Sequence, residues 1–165
     1  MKKEIILVRH GKACSLDAFD KDIDRVLMER GVNDGYKVAE SMLEKKVVPD
    51  LILTSPAARA SQTALIFARA LKTGSGIVNI LDKLYHCSGD CILKQVCALP
   101  EDVNSVMVVA HNPGIIDLAY ELTMGATNFL PTTGVVVIQY DANSWSEVSR
   151  SKPSKHFLII PKEII

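Results

Sequence analysis

Aromatic side chains make up only 5% of this 165-residue chain, with a single tryptophan, so its interior has to be closed by aliphatic packing. Charge of either sign is not in excess. Lysine and arginine total 19, as do aspartate and glutamate, which excludes a global field for nucleic acid or an anionic membrane surface. Any anion site must therefore be local. Long hydrophobic runs are also missing. The apolar stretch after Met1-Lys2-Lys3 stops at Val8, too short for a signal-peptide core, and the other runs are strand-sized rather than membrane-sized. The four cysteines include no Cys-x-x-Cys pair, and Cys97 sits on the apolar stripe of Ile92, Leu93 and Val96. A zinc site from His86, Cys87, Cys91 and Cys97 is disfavoured on that spacing, and buried free thiols in a reducing cytoplasm are expected. Thr73-Gly74-Ser75-Gly76 lacks the spacing and following lysine of a nucleotide phosphate loop. Neither a metal nor a cofactor is expected, and a monomer is the default.

Against these absences stand several continuous runs of branched apolar residues. They predict strands at about 4–9, 51–54, 77–81, 106–110 and 135–140. A further strand at about 145–149 would form an antiparallel hairpin with the one before it, while 156–160 reads as a short edge strand or a packed tail. The segment from about 29 to 45 predicts an amphipathic helix facing inward with Val32, Tyr36, Ala39, Met42 and Leu43. Ser55-Pro56 and Asn112-Pro113 read as helix starts, a polar cap followed by proline. The helices after them would bury Leu65, Ala68 and Leu71, and Ile115, Ala119 and Leu122, with a shorter helix at about 89–98. Strand-helix alternation followed by the late antiparallel strands predicts one domain over 1–165, an α/β sandwich on a mixed sheet.

The chemistry-bearing residues cluster at strand exits. Arg9-His10-Gly11 follows the run Ile5-Ile6-Leu7-Val8, Ser55 and Arg59 follow the second strand, and His111-Asn112 follow the fourth. In an open α/β sheet that edge is where ligands bind. Two guanidinium groups and helix amides suit the oxygens of a phosphoryl group. A histidine with one nitrogen held and the other free can attack phosphorus, and a protonated His111 would add positive charge in the transition state. Gly11 would let the backbone approach the ligand closely. A binding module without turnover would need no nucleophile, and a purely structural domain would need neither arginine.

The motifs Leu7-Val8-Arg9-His10-Gly11-Lys12-Ala13, Asp24-Arg25-Val26-Leu27 with Arg30-Gly31, Leu53-Thr54-Ser55-Pro56-Ala57-Ala58-Arg59-Ala60 with Gln62-Thr63, Leu84-Tyr85, Val109-Ala110-His111-Asn112-Pro113, and Leu130-Pro131-Thr132-Thr133-Gly134 occur in that order. Across nearly the whole length the chain resembles the histidine phosphatase superfamily, most closely its short SixA-type phosphohistidine phosphatases. The resemblance implies a three-layer α/β/α sandwich of phosphoglycerate mutase type with a mixed, mostly parallel sheet. It makes His10 the phosphorylated nucleophile and places Arg9, Arg59 and His111 around the phosphoryl group, with Gly11 and Asn112 beside it. In the second motif Val26 stands where the family usually has proline, and Met28 where it has serine or threonine.

The proton donor is the gap. Many superfamily members take a carboxylate from the region after the third strand, but here Asp82-Lys83-Leu84-Tyr85-His86-Cys87 has no glutamate beside the tyrosine. Asp82 and Asp90 are the nearest acids, and Asp17, Asp22 and Asp24 in the first loop are alternatives. A weak donor would suit a phosphoramidate, whose imidazole leaving group is protonated near neutral pH. Each interval between motifs holds one helix or loop, which implies an unlidded site. The expected partner is a phosphohistidine-bearing protein. A small phosphate ester or a non-catalytic phosphate-recognition role are the alternatives.

Overall fold

In the computed structural model, which describes residues 1–164, the apolar runs assemble into one six-stranded sheet. The strands are β1 (Lys2–Arg9), β2 (Leu51–Thr54), β3 (Val78–Ile80), β4 (Ser105–Ala110), β5 (Val135–Asp141) and β6 (Lys155–Ile159), in spatial order β3-β2-β4-β1-β5-β6. β3, β2, β4 and β1 run parallel, while β5 and β6 are antiparallel additions beside β1.

Because side chains alternate along a strand, β1 serves two cores. Ile6 and Val8 pack with Val38, Ala39 and Met42 of α1 (Glu29–Glu44) and with Ala60, Ala64 and Phe67 of α2 (Ala58–Ala70). Ile5 and Leu7 face the opposite layer, made by α3 (Gly89–Cys97), α4 (Gly114–Leu122) and the single turn α5 (Trp145–Val148). This is the three-layer sandwich with a mixed, mostly parallel sheet. Among the described residues no helix is long and apolar enough to cross a membrane.

The chain leaves β1 toward one layer and leaves its neighbour β4 toward the other. That divergence opens a crevice beyond the carboxyl ends of the two strands, the place where such sheets bind ligands.

Several local expectations are corrected. Residues 145–148 form a helical turn, so β5 pairs instead with the 155–159 segment, which is an edge strand and not a packed tail. Burial of Trp145 and Val148, one turn apart, fixes that helix, and Trp145 Nε1 donates to the Val103 carbonyl at 2.8 Å. The fully buried Lys3 lies over the Trp145 ring, and its ammonium donates to the carbonyls of Glu101 and Val103 and to Asn104 Oδ1. In α1 the inward face carries Gly31, Gly35, Val38, Ala39 and Met42, leaving Tyr36 and Leu43 exposed. The glycines are the reason. A Cβ on Gly35 would lie 2.9 Å from Ile66 Cγ2, so the face with least side chain is the one that approaches α2. Leu65 of α2 is likewise exposed, and the small residues Ala60, Ala64 and Ala68 make the contact. Helix α2 begins two residues after its proline, at Ala58, and α4 one residue after its own, at Gly114.

Candidate active site

Register places the site. Arg9 pairs with Ala110 and Thr54 with Val109, so the next residues, His10, His111 and Ser55, stand in one row beyond the sheet. His10 N–H donates to the Ala110 carbonyl at 3.1 Å and Ser55 N–H to the Val109 carbonyl at 3.0 Å, which continues the ladder one step. The start of β5 closes the row from the other side. Thr133 N–H reaches the carbonyls of Arg9 and His10, and Arg9 N–H donates to the Gly134 carbonyl. Arg59, second residue of α2 and 5% exposed, extends into the same space.

The tautomer of His10 follows from its partner. Nδ1 lies 2.8 Å from the Gly11 carbonyl, which can only accept, so Nδ1 carries the hydrogen and Nε2 presents its lone pair. Burial pushes the His10 pKa down to about 4, and the charges of Arg59, Arg9 and Arg25 add to this against the Gly11 carbonyl. The ring is neutral at physiological pH. Gly11 directs its own N–H to Thr63 Oγ1 at 3.0 Å, so its amide faces α2 rather than a ligand. Thr63 Oγ1 in turn donates to the Arg59 carbonyl at 2.7 Å.

His111 lies beside His10, with ring centroids 5.1 Å apart. Its Nδ1 faces Arg59 Nη2 at 3.4 Å, and because a guanidinium only donates, Nδ1 accepts and Nε2–H donates to Ser55 Oγ at 2.7 Å. Burial, then the neighbouring His10 and Arg59, lower its pKa to about 3. The protonated form that would make His111 a source of positive charge is disfavoured in this state, so positive charge comes from the arginines. Asn112 donates from Nδ2 to the Leu130 carbonyl at 3.3 Å, and Arg9 Nη1 donates to the same carbonyl at 3.1 Å. Ser55 does not cap α2 as its first-turn acceptor, but its Oγ accepts the Ala57 N–H at 3.2 Å and tightens the turn into the helix.

Asp22 has a different part from the one expected. Its carboxylate accepts from Arg59 Nη2 at 3.0 Å, Tyr85 Oη at 2.6 Å and Arg25 Nη1 at 2.9 Å, and its main-chain carbonyl accepts Arg59 Nη1 at 2.8 Å. The Tyr85 hydroxyl first, then Arg25 and Arg59, hold its carboxyl well below the usual carboxylate range. A group so bound is an acceptor, not an acid. Asp17, Asp24, Asp82 and Asp90 are exposed, and none has a side-chain hydrogen bond to the site among the described residues.

Residues given no role from sequence also take part. Arg25 supplies a third guanidinium, and Tyr85 links Asp22 to His111, whose ring centroid is 5.6 Å away. Both stand inside motifs quoted for the family resemblance, which is the signal that marked them. Cys87 and Cys91 are joined as a disulfide, which corrects the expectation of four free thiols and removes the thiol argument for a reducing compartment. Cys14 and Cys97 are free and half-buried.

Four buried polar atoms around this row make no hydrogen bond among the described residues: Arg9 Nε, Arg59 Nε, Asn112 Oδ1 and Thr133 Oγ1. Unpaired buried donors are costly. Two guanidinium N–H groups beside a free imidazole nitrogen fit an oxyanion with several acceptor oxygens.

Comparison with known proteins places the chain in a family. The family model of the histidine phosphatase superfamily (branch 1) matches residues 5–85. The phosphohistidine phosphatase SixA of Escherichia coli is 31% identical over 136 residues, 81% of this chain and 82% of that protein. An uncharacterised protein of Mycobacterium leprae is 28% identical over 156 residues, 86% of this chain and 91% of its own. Among solved structures, the protein histidine phosphatase SixA complexed with tungstate superposes with a TM-score of 0.81 at 26% identity, covering 96% of this chain and 97% of that one. The chain belongs to the histidine phosphatase superfamily, among its SixA-type members, and is on that ground a phosphatase.

Proposed function

We propose that this phosphatase removes phosphate from phosphohistidine on a protein through a covalent phospho-His10 intermediate. The observation that carries the reading is the state of His10, neutral, held at Nδ1 by the Gly11 carbonyl and free at Nε2, with the charges of Arg59 and Arg9 acting on it while the Nε of each stays buried and unpaired. The Nε2 lone pair attacks phosphorus while the electron pair of the breaking bond leaves with the substrate imidazole. Water then attacks the phospho-histidine, the electron pair of the N–P bond returns to His10, and inorganic phosphate departs. Arg9 and Arg59 hold the equatorial oxygens as charge spreads over them, His111 joins them by turning its Nε2–H from Ser55 to a phosphoryl oxygen, and Asn112 lines the same space.

Two further observations support a protein substrate. The relatives named above include a phosphohistidine phosphatase and a SixA protein that binds tungstate, a phosphate mimic. A pocket of about 310 Å³ opens beside His111, bordered by the exposed side chains of His86, Ser88 and Asp117, and a histidine on a protein surface could enter it without being enclosed.

Rapid mixing with labelled phosphohistidine peptide, followed by an alkaline detergent quench that preserves phosphoramidates, tests the mechanism. Label on the wild-type protein that vanishes in His10→Ala is expected. Turnover without trapped label under single-turnover conditions would overturn the covalent step, and faster hydrolysis of sugar phosphates than of the peptide would overturn the substrate class.

A further inference from the structure

We propose that the pocket beside His111 receives the leaving group and that His86 is the acid that protonates it there. This assignment rests on the phosphoryl-transfer reading above and fills the gap left by Asp22, whose carboxylate is committed to three donors. Of the side chains lining the pocket, His86, His111 and Asp117 can exchange a proton, Cys87 being tied to Cys91. His111 is occupied at both nitrogens by Arg59 and Ser55. That leaves the two residues at the mouth.

Geometry favours His86. Its ring centroid is 3.9 Å from that of Tyr85, which is in turn 5.6 Å from His111, so His86 ends a row of rings that begins at the nucleophile. The backbone of His86 has φ +58°, the left-handed conformation also taken by Lys46, Lys72, Met124 and Thr133, and histidine is one of the residues that tolerates it. The surrounding loop holds it there. Cys87 is bonded to Cys91, Ser88 Oγ accepts the Cys91 N–H at 3.1 Å, and the Cys87 carbonyl packs onto Gly114 where any Cβ would collide with it. A cationic imidazole also attracts the phosphate that a carboxylate at Asp117 repels.

The proton balance closes. As His10 Nε2 bonds to phosphorus and the bond to the leaving atom breaks, the electron pair of that bond stays with the leaving group, and the His86 imidazolium gives up its proton. A phosphorylated imidazole takes that proton at the nitrogen not bonded to phosphorus and departs neutral, while an ester takes it on oxygen. In the second half, neutral His86 accepts the proton of the attacking water as the pair of the N–P bond returns to His10.

Leaving-group dependence tests the assignment. His86→Asn is the informative variant, because asparagine tolerates a left-handed backbone and removes only the acid. On phenyl phosphate its kcat/KM is expected to fall about 10²-fold, the usual scale of general acid catalysis. On 4-nitrophenyl phosphate, whose leaving group needs no proton, it should stay within about threefold of wild type by the same reasoning. Free imidazole should restore phenyl phosphate turnover to His86→Gly. Equal losses on both esters, no loss on either, or a selective loss in Asp117→Asn instead would overturn the assignment. Absence of phospho-His10 in the wild type given 4-nitrophenyl phosphate would instead overturn the phosphoryl-transfer reading itself.

Discussion

Asp22 holds Arg59 at two points, its carboxylate taking Nη2 at 3.0 Å and its main-chain carbonyl taking Nη1 at 2.8 Å. The guanidinium is thereby oriented before any substrate arrives, with Nε left buried and unpaired. The same carboxylate places a negative charge next to a site for an anion. Orientation and repulsion therefore act in opposite directions through one residue.

Asp22→Asn separates them. Asparagine keeps the shape and the main-chain contact but removes the charge, so tungstate or phosphate should bind at least about threefold more tightly at low salt, the gain shrinking as screening rises. Isothermal titration across a salt series reads this. Weaker anion binding at every salt concentration would show that holding Arg59 outweighs the repulsion.

Stability should depend on pH through the same residue. The folded Asp22 carboxyl titrates below its unfolded value near 3.9, so its contribution is complete above about pH 4 to 5 and is lost as pH falls through the folded value. The difference in Tm between wild type and Asp22→Asn should therefore shrink toward acid pH. A constant difference from pH 7 to pH 3 would contradict the ion-paired state.

His10 and His111 set a second pH window. Their folded pKa values, about 4 and about 3, lie below the unfolded value near 6.5, so the unfolded chain binds their protons first and stability drops as pH falls from about 6.5 toward about 4. Their ring resonances should stay unshifted in NMR titration from pH 8 to pH 5. Saturating tungstate should move both titrations upward, since an anion favours the charged imidazole.

Arg59→Lys should reduce kcat/KM by about 10²- to 10³-fold, because an ammonium cannot engage Asp22 twice and still point a donor at the phosphoryl oxygens. A steady-state assay with 4-nitrophenyl phosphate measures it. A loss under about fivefold would indicate that charge alone, not the planar fork, is what the site uses.

Glycine substitutions separate packed from open positions. A Cβ on Gly31 would collide with the main-chain carbonyl of Lys12, which cannot swing away as a side chain can, whereas Gly76 has open space and no positive φ. Gly31→Ala should destabilise the protein by about 1–3 kcal/mol, and Gly76→Ala should stay within about 0.5 kcal/mol of wild type. Chemical denaturation of the two variants compares them directly.

The strand ends were legible because each buried strand is a continuous apolar run whose polar exit residues stand out, and His10, Arg59 and His111 follow from that pattern. Its blind spots have physical causes. Val148 and the residues near it suit a strand, but burial of Trp145 against Lys3 decides for a helical turn, and Lys3 is 142 positions away in the chain. In α1, apolar periodicity pointed to the bulky residues, while close helix packing turned the glycine face inward. The role of Asp22 depends on meeting Arg59 and Tyr85 from distant segments, which no local spacing reveals. The neutral state of His111 likewise depends on burial and on a facing guanidinium.

The Leu130 carbonyl, which receives both Arg9 and Asn112, lies late in the chain. His10, Arg9 and Arg59 are translated within the first 59 residues, yet the segment that orients Arg9 leaves the ribosome long afterwards. A nascent or truncated chain ending before this segment would therefore display an imidazole without a properly aimed Arg9. Catalytic competence is a property of the finished chain, and in denaturant its loss should coincide with loss of the sheet rather than precede it.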